Sequence, residues 1–382
     1  MSNRSHEVDV IRSFALLGIC VVNLPFLALS LDALMQPPAG PADWAARLGV
    51  EFLFQGKFFV LFSFLFGWGF GVQLAAAERH GAEAWPRYRM RLLGLFLIGV
   101  AHATLVFGGD ILMLYALLGL LLWPLRGWSV RRLVRSAVMA QVVAAFALMA
   151  MAIFFGMMAK TPPPDPVGPG YLGGFIDAAR QRLADLPVFL TVVVLFNGPT
   201  AFACFCAGLA AFRSGFFELG SPGFAWLQRA VPWLVAVGLV ANAAFVAAIN
   251  EWLGDGLGAL FGVGAMAVGG PALGAVYIWG AVTLWRRLAP GRWVGSAGRM
   301  SLSAYVAQGI LAGLVFNGYG LALYGRLGDA WLLAIALGIV ATVHLMSHLW
   351  LRVFAQGPLE LLLRGFMRHF SPGPPRAGPT AP

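Results

Sequence analysis

The segment from Asp9 to Leu31 reads DVIRSFALLGICVVNLPFLALSL, an apolar run whose charged residues lie only at its start. An α-helix rises about 1.5 Å per residue, so the part from Ile11 onward can cross the roughly 30 Å hydrocarbon core of a bilayer. Residues 28–30, ALS, resemble a signal-peptidase site, but the run is longer than a typical signal-sequence core and contains Asn23. The segment therefore predicts a membrane-spanning helix that stays in the protein.

The whole chain has the composition of a protein surrounded by lipid. Of its 382 residues, 60% are hydrophobic and 11% are charged, against about 25% charged in soluble domains. A net charge of +10 is compatible with nucleic-acid binding, but the basic residues form short clusters between apolar runs, as in the cytoplasmic loops of membrane proteins. We therefore expect the lipid bilayer as a partner and no nucleic acid.

Apolar runs long enough to span a membrane recur along the chain, and we count ten of them. They are Ile11–Leu31, Phe52–Ala77, Leu92–Phe107, Ile111–Leu125, Ala137–Met158, Pro187–Phe212, Ala230–Leu253, Ala259–Trp285, Ser301–Leu321 and Trp331–Phe354. The third and fourth runs are separated only by GGD at 108–110, which predicts a tight hairpin of two short helices. The predicted fold is all-α, a polytopic integral membrane protein with about ten transmembrane helices.

The distribution of basic residues predicts the orientation. With the N-terminus placed inside, 20 Lys and Arg residues fall in inside segments and six in outside segments, so both termini are expected in the cytoplasm. Residues 1–370 form one predicted transmembrane domain, and the Pro- and Gly-rich residues 371–382 a disordered cytoplasmic tail. The only sizeable outer loop is predicted between Lys160 and Leu186, and Lys57 is expected to extend its ammonium group towards the outer surface.

Polar residues inside predicted helices are the candidate functional groups, because burying them in lipid is costly. Asp9 and Arg12 lie three residues apart, within pairing distance, and they form either an interfacial ion pair or part of a ligand site. Asn23 lies three turns deeper on roughly the same face, as a helix–helix hydrogen bond or a substrate contact. His102 and Asp110 are eight residues apart, about 12 Å along a straight helix. Contact between them therefore requires the hairpin to bend Asp110 back.

Metal binding is not expected. Cys20, Cys204 and Cys206 lie inside apolar stretches, which argues against a disulfide framework or a thiolate zinc site. His344 and His348 would project from the same side of one helix, but the sequence offers no third or fourth ligand at matching depth. The two histidines are therefore predicted to form helix–helix hydrogen bonds.

Several separated motifs resemble one family. They are DVIRSFALLGICVVN, FQGKFFVLFSFLFGWGFG, RLLGLFLIGVAHATLVFGGDILMLYALLG, SAGRMSLSAYVAQ and HLWLRVFAQGPLELLLR. Together they resemble the YeiB-like family of bacterial inner-membrane proteins, long labelled a domain of unknown function. The resemblance covers nearly the whole chain and implies a multi-pass protein of the bacterial plasma membrane.

That family is similar in turn to the heparan-alpha-glucosaminide N-acetyltransferase family of transmembrane acyltransferases. The first helix carries the similarity, with Asp9, Arg12 and Asn23 at the same spacing. In those enzymes an Asp and a His of the first outer loop serve the transfer of an acetyl group from cytoplasmic acetyl-CoA to a sugar amine. Here residues 32–51 contain no histidine, so either His102 has taken over as the base or this branch performs different chemistry.

Two functions stay open. The first is an acyltransferase with His102, Asp110 and Asp9 as catalytic residues and an acyl-CoA as donor. The second is a transporter or lipid-handling protein without covalent chemistry. In the first, the acceptor is a glycan, lipid or small molecule, and a homodimer is one open oligomeric state. The predicted donor-binding residues are Arg12, Asn23, Arg87, Arg89, Arg91, Arg131, Arg132 and Arg299.

Overall fold

The computed structural model describes residues 6–158, 169–254, 256–288 and 291–370, and these residues are mostly helical, with no strand among them. The helices are α1 His6–Ala28, α2 Leu31–Met35, α3 Pro41–Leu53, α4 Phe58–Arg79, α5 Ala84–Leu105, α6 Leu112–Leu122, α7 Val130–Met158, α8 Phe175–Val192, α9 Gly198–Arg213, α10 Pro222–Ile249, α11 Leu257–Leu288, α12 Ser296–Arg299, α13 Ser301–Phe316, α14 Asp329–Val353 and α15 Pro358–Phe370. The predicted all-α, polytopic class is confirmed.

Seven helical stretches are long and apolar enough to cross a membrane. An eighth is formed if the bent pair Trp293–Arg299 and Ser301–Phe316, with 86° between its two parts, counts as one span. Each of the ten predicted runs overlaps at least one helix, but α5 has three arginines among its first eight residues and α6 has only 11 residues. The number of crossings and the location of the termini therefore stay predictions.

The segment between Lys160 and Leu186, predicted to be an outer loop, is helical over most of its second half, while its location outside the cytoplasm stays a prediction. Residues 169–172 form a 3-10 turn and α8 begins at Phe175, twelve residues before the apolar run predicted there. The Asp177 side chain accepts a hydrogen bond from the backbone nitrogen of Gly174 at 3.0 Å, which fixes the start of α8. The first part of that loop and the tail at 371–382 lie outside the described residues.

Lys57 is buried rather than extended to the surface, so that prediction is wrong. Its side chain is fully enclosed, and Nζ donates to the carbonyl oxygen of Glu51 at 3.0 Å. The predicted run Phe52–Ala77 is divided by a turn at 54–57, where Gly56 has φ +77°. The lysine therefore lies at the junction between α3 and α4, and its ammonium group bonds back to the last turn of α3.

Helix α1 is the centre of the bundle and packs against α4, α12, α13 and α14. Its closest approach is to α12, where Gly298 lies against the Asp9 carbonyl and a Cβ at that glycine would be 1.8 Å from the oxygen. The backbone nitrogen of Gly298 also donates to Ser13 Oγ at 2.8 Å. Small residues allow such close contact between helices in membranes, where lipid supplies no hydrophobic force for association.

The last helix, α15, is fastened to the start of α13. The Glu360 carboxylate accepts hydrogen bonds from the backbone nitrogen of Leu302 at 2.8 Å and from Ser303 Oγ at 2.5 Å. A carboxylate at a helix N-terminus satisfies free backbone donors and interacts favourably with the helix dipole. Three of the family-like motifs therefore meet at the end of the bundle where α1 begins.

Candidate functional site

The hairpin between α5 and α6 brings His102 and Asp110 into direct contact. The chain turns at the end of α5, where the backbone nitrogens of Val106 and Phe107 both donate to the His102 carbonyl. Asp110 is thereby folded back, and its Oδ1 lies 2.9 Å from His102 Nδ1. Both side chains are almost completely buried, with 3% of His102 and 1% of Asp110 exposed. The two side chains are therefore in contact, rather than about 12 Å apart as along a straight helix.

The other carboxylate oxygen of Asp110 holds the start of α6. Oδ2 accepts from the backbone nitrogens of Leu112 at 2.8 Å and Met113 at 3.2 Å. These donors are among the first in the helix and have no partner within it, so a negative charge is stabilised at this position. The same carboxylate therefore both caps α6 and contacts the imidazole.

Tyr305 from α13 completes the cluster. Its hydroxyl donates to Asp110 Oδ1 at 3.3 Å, and its ring centre lies 4.9 Å from that of His102. Sequence reasoning missed this residue, which is 195 positions from Asp110. The available signal was its place in the motif SAGRMSLSAYVAQ, where it is the only phenol on an otherwise small and aliphatic helix start.

His102 retains one ring nitrogen without a hydrogen-bond partner. Because the Asp110 carboxylate accepts hydrogen bonds, the network assigns the proton to Nδ1 and leaves Nε2 as an acceptor. Nε2 is buried and has no partner among the described residues. It faces Gly309, where a Cβ would lie 2.9 Å away. A buried group left unsatisfied in this way is unusual in native structures and is a candidate for a chemical role.

Arg182, which the sequence analysis did not single out, holds the other side of the hairpin. It lies on α8 with 2% of its surface exposed, and Nη1 donates to the Leu105 carbonyl at 3.0 Å at the end of α5. Nη2 approaches the hydroxyl of Tyr319 at 3.4 Å, and the guanidinium carbon lies 5.7 Å from the ring centre of Tyr171. A cation is favourable at a helix C-terminus, so Arg182 fixes where α5 stops and the turn to Asp110 begins.

Tyr171, whose ring lies near the Arg182 guanidinium, is itself hydrogen-bonded. The Tyr171 hydroxyl donates to Asp185 Oδ2 at 2.8 Å, and Asp185 Oδ1 accepts from Gln181 Nε2 at 3.0 Å. Burial, together with the hydrogen bond to Asp185, raises the pKa of Tyr171 well above its ordinary value. The phenol therefore remains a hydrogen-bond donor throughout the physiological pH range.

A cavity of about 2060 Å³ runs beside the cluster. Tyr305 lines it, as do Gly109 and Ile111, the two neighbours of Asp110. His102, Asp110 and Asp9 are not among the lining residues, so the imidazole lies behind the wall at this point. The volume exceeds the roughly 300–1,000 Å³ typical of small-molecule pockets.

One end of the cavity, which we call the basic end, is lined by Arg12, Arg91, Arg299 and Arg364 and by the carboxylate of Glu360. Arg12 lies 3.3 Å from Asp9, which matches the ion-pair alternative, and it also lines the cavity. Arg91 lies over the ring of Phe66 at 5.1 Å, and its Nη1 is buried without a hydrogen-bond partner among the described residues. An unpaired guanidinium nitrogen facing a cavity is suited to an anionic group.

The structure gathers only part of the predicted donor site. Arg12, Asn23, Arg91 and Arg299 line the cavity together. The remaining four predicted arginines do not line it, and all four are exposed; they are Arg87, Arg89, Arg131 and Arg132.

The opposite end of the cavity, which we call the acidic end, is lined by Glu51, Asp185 and Asp329. Asp329 forms an ion pair with Arg47 at 3.0 Å, and Glu51 Oε2 accepts from Asn250 Nδ2 at 2.8 Å. The cavity is therefore cationic at one end and mainly anionic at the other.

His344 and His348 have structural contacts. His344 Nε2 lies 3.0 Å from the Trp293 carbonyl, and His348 lies 3.5 Å from Ser296 Oγ and 3.2 Å from Arg352 Nη2. These bonds fasten the bent segment to α14. Among the described residues, no group of three or more His, Cys, Asp or Glu residues is placed to hold a metal ion.

The helical bundle, its apolar spans and its charged cavity define a multi-pass integral membrane protein. The chain belongs to the YeiB-like family described as "Protein of unknown function (DUF418)", whose profile matches residues 211–369. It is 31% identical to the uncharacterized protein YxaH of Bacillus subtilis (strain 168), over 95% of this chain and 94% of the relative. It is 28% identical to the uncharacterized protein YeiB of Escherichia coli (strain K12), over 94% of this chain and 95% of the relative. No solved structure matches.

Proposed function

We propose that this protein is an acyltransferase of the bacterial inner membrane. It takes an acyl group from a cytoplasmic acyl-CoA and transfers it to a hydroxyl or amine of a glycan, lipid or small metabolite. The observation that carries the proposal is the buried contact of His102 with Asp110, which leaves Nε2 as an unpaired proton acceptor beside a charged cavity. A histidine oriented by a carboxylate is a common general base.

The chemistry is a simple displacement. The acceptor oxygen or nitrogen attacks the thioester carbonyl, a bond from the acyl carbon to the acceptor forms, and the carbon–sulfur bond breaks. The acceptor proton moves to His102 Nε2 and then to the departing thiolate of CoA. Asp110 fixes the tautomer and stabilises the imidazolium that forms between the two transfers.

Access to the imidazole requires a small opening along α13. Tyr305 lines the cavity, and Gly309, which contacts Nε2, lies one helical turn beyond it on the same face. The space beside Gly309 is filled, since a Cβ there would lie 2.9 Å from Nε2 and 2.7 Å from Val106 Cγ1. A reacting group therefore reaches Nε2 only when α13 moves away from the hairpin one turn past Tyr305. We propose that this is the route of the acceptor.

The basic end supports binding of the donor phosphates. Arg12, Arg91 and Arg299 line it, and guanidinium groups form charge-assisted hydrogen bonds with phosphate. We assign this end to the cytoplasmic side, where acyl-CoA is made, because the predicted inside segments carry the excess of arginines. Asp9 is buried and pairs with Arg12, so we assign it a positioning role rather than a catalytic one.

Transport is the second candidate function, and one observation favours it. The chain bends by 86° at Met300, between Arg299 and α13, at the basic end. Broken helices line the substrate sites of many transporters. A transporter would move its ligand into sealed vesicles without changing it, whereas an acyltransferase would release free CoA.

The test uses the full-length protein purified in detergent. It is mixed with an acyl-CoA and candidate acceptors, and release of the free thiol is followed. His102→Ala is expected to lower the rate by about 10² to 10⁴, while His80→Ala, at an exposed histidine beyond α4, is the matched control. Absence of thiol release and of calorimetric binding for every acyl-CoA tested would refute the acyltransferase function.

A further inference from the structure

We infer that the acyl group accepted by this cavity is a long hydrocarbon chain rather than acetyl, an inference that rests on the proposed acyltransferase function. The inference concerns the part of the cavity between the basic and acidic ends. Its length, the chemistry of its walls and the charges at its two ends all point to the same class of ligand.

The cavity is long and follows one face of α1. Arg12, Ile19, Asn23 and Phe26 line it at spacings of seven, four and three residues, which is the repeat of a single helix face. From Arg12 to Phe26 the helix rises about 21 Å. An acetyl group is far shorter than this channel, whereas an extended alkyl chain is comparable to it in length.

The walls between the two ends are mainly apolar. Phe59, Phe62 and Phe66 of α4 line one side, and Phe189 and Phe196 line another. A polar ligand placed here would lose its hydrogen bonds with water, which is unfavourable unless the protein replaces them.

Tyr115, a buried phenol in this region, already has hydrogen-bond partners. The hydroxyl of Tyr115 lies 2.5 Å from Ser63 Oγ and donates to the Phe59 carbonyl at 3.2 Å. It is therefore not placed to bind the amide groups of a pantetheine arm. Each methylene moved from water into such a site favours binding by roughly fourfold, so a long chain gains far more from this region than acetyl does.

The charges at the ends set the direction of the ligand. Phosphate groups are attracted to the arginines of the basic end, whereas at the other end Glu51, Asp185 and Asp329 outnumber Arg47, which pairs with Asp329. The nucleotide of a long-chain acyl-CoA would therefore remain at the basic end. The thioester would lie near Tyr305, and the chain would extend towards the acidic end between the phenylalanines.

The experiment compares acetyl-, octanoyl- and palmitoyl-CoA at concentrations below micelle formation. For the unchanged protein, kcat/KM for thiol release is expected to rise at least tenfold from acetyl to the longer chains. Val22→Trp places an indole in the channel beside Asn23 and should lower kcat/KM for palmitoyl-CoA at least tenfold, with less than a twofold effect on acetyl-CoA. Val240→Trp is the matched control, because Val240 is 72% exposed on the lipid-facing side of α10.

The outcomes separate this inference from the proposed function. A preference for acetyl-CoA would overturn the long-chain inference and leave the acyltransferase standing, whereas no reaction or binding with any acyl-CoA would overturn both. If Val22→Trp does not fold, Val22→Phe is used, and an unchanged chain-length profile in a folded variant counts against the inference. Native mass spectrometry adds a further arm, since a bound phospholipid that palmitoyl-CoA does not displace would assign the channel to membrane lipid instead.

Discussion

Replacement of Asp110 by asparagine changes one atom of the buried cluster and should separate its two roles. The carboxylate accepts four hydrogen bonds, from His102, Tyr305 and the backbone nitrogens of Leu112 and Met113. The two backbone donors require an oxygen, so the amide oxygen stays on α6 and the amide nitrogen faces the imidazole. That nitrogen cannot accept a proton, and His102 must then accept at Nδ1 and carry its hydrogen on Nε2.

With its proton on Nε2, the imidazole is no longer a base for the acceptor. General-base catalysis contributes about 10² to 10⁴ in rate; we expect Asp110→Asn to lose about 10²-fold, less than His102→Ala, because the ring can still return to the active tautomer. The free energy of unfolding should fall by about 1–3 kcal/mol, since the Tyr305 hydroxyl loses its acceptor.

The assay combines thiol release with thermal unfolding in detergent. Glu78→Gln, at an exposed carboxylate near the end of α4, controls for the loss of charge. Normal turnover in Asp110→Asn would refute the assigned tautomer. If activity falls only in proportion to the amount of folded protein, Asp110 acts as a helix cap and has no role in catalysis.

Three further predictions concern the basic end, the last helix and the orientation. Arg91→Gln should raise KM for acyl-CoA about tenfold with little change in kcat, whereas Arg89→Gln, exposed on the same helix, should change neither; equal effects would contradict the assigned phosphate site. Glu360→Gln should lower the free energy of unfolding by about 1 kcal/mol because α13 loses a charged cap, and unchanged thermal unfolding would show that the cap contributes nothing. Reporter fusions should be cytoplasmic at Arg132 and extracytoplasmic at Asp329, and the reverse result would overturn the predicted orientation.

Hydropathy was sufficient to predict the fold class, because lipid requires long apolar helices whatever the rest of the sequence contains. It failed where a helix is polar or bent. The first turns of α8 carry Asp177, Arg180 and Arg182 and resemble a loop, yet they fold as a helix that packs over the hairpin. Lys57 was misplaced for a related reason, since hydropathy does not show that the run Phe52–Ala77 is interrupted at 54–57, where the lysine bonds back to Glu51.

The sequence identified His102 and Asp110 as candidate site residues, but it did not predict how they contact each other or Tyr305. His102 and Asp110 stand out because ionisable groups are costly in a membrane helix. Their contact depends on a turn that the sequence alone leaves undetermined, and Tyr305 joins them from a distant helix. The arginines illustrate the same limit, because the sequence gives equal weight to Arg89 and Arg91 while the helix face turns only the second into the cavity.

The packing of α1 against α12 has a consequence for biosynthesis. Helix α1 is synthesised long before α12, because Ser13 and Gly298 are 285 residues apart in the chain. At about 5–20 residues per second, translation of the intervening chain takes roughly 15–60 s. Throughout that interval Asp9 and Ser13 lack the α12 contact that is formed later, so the start of the nascent first helix should depend on the insertion machinery to shield its polar groups from lipid.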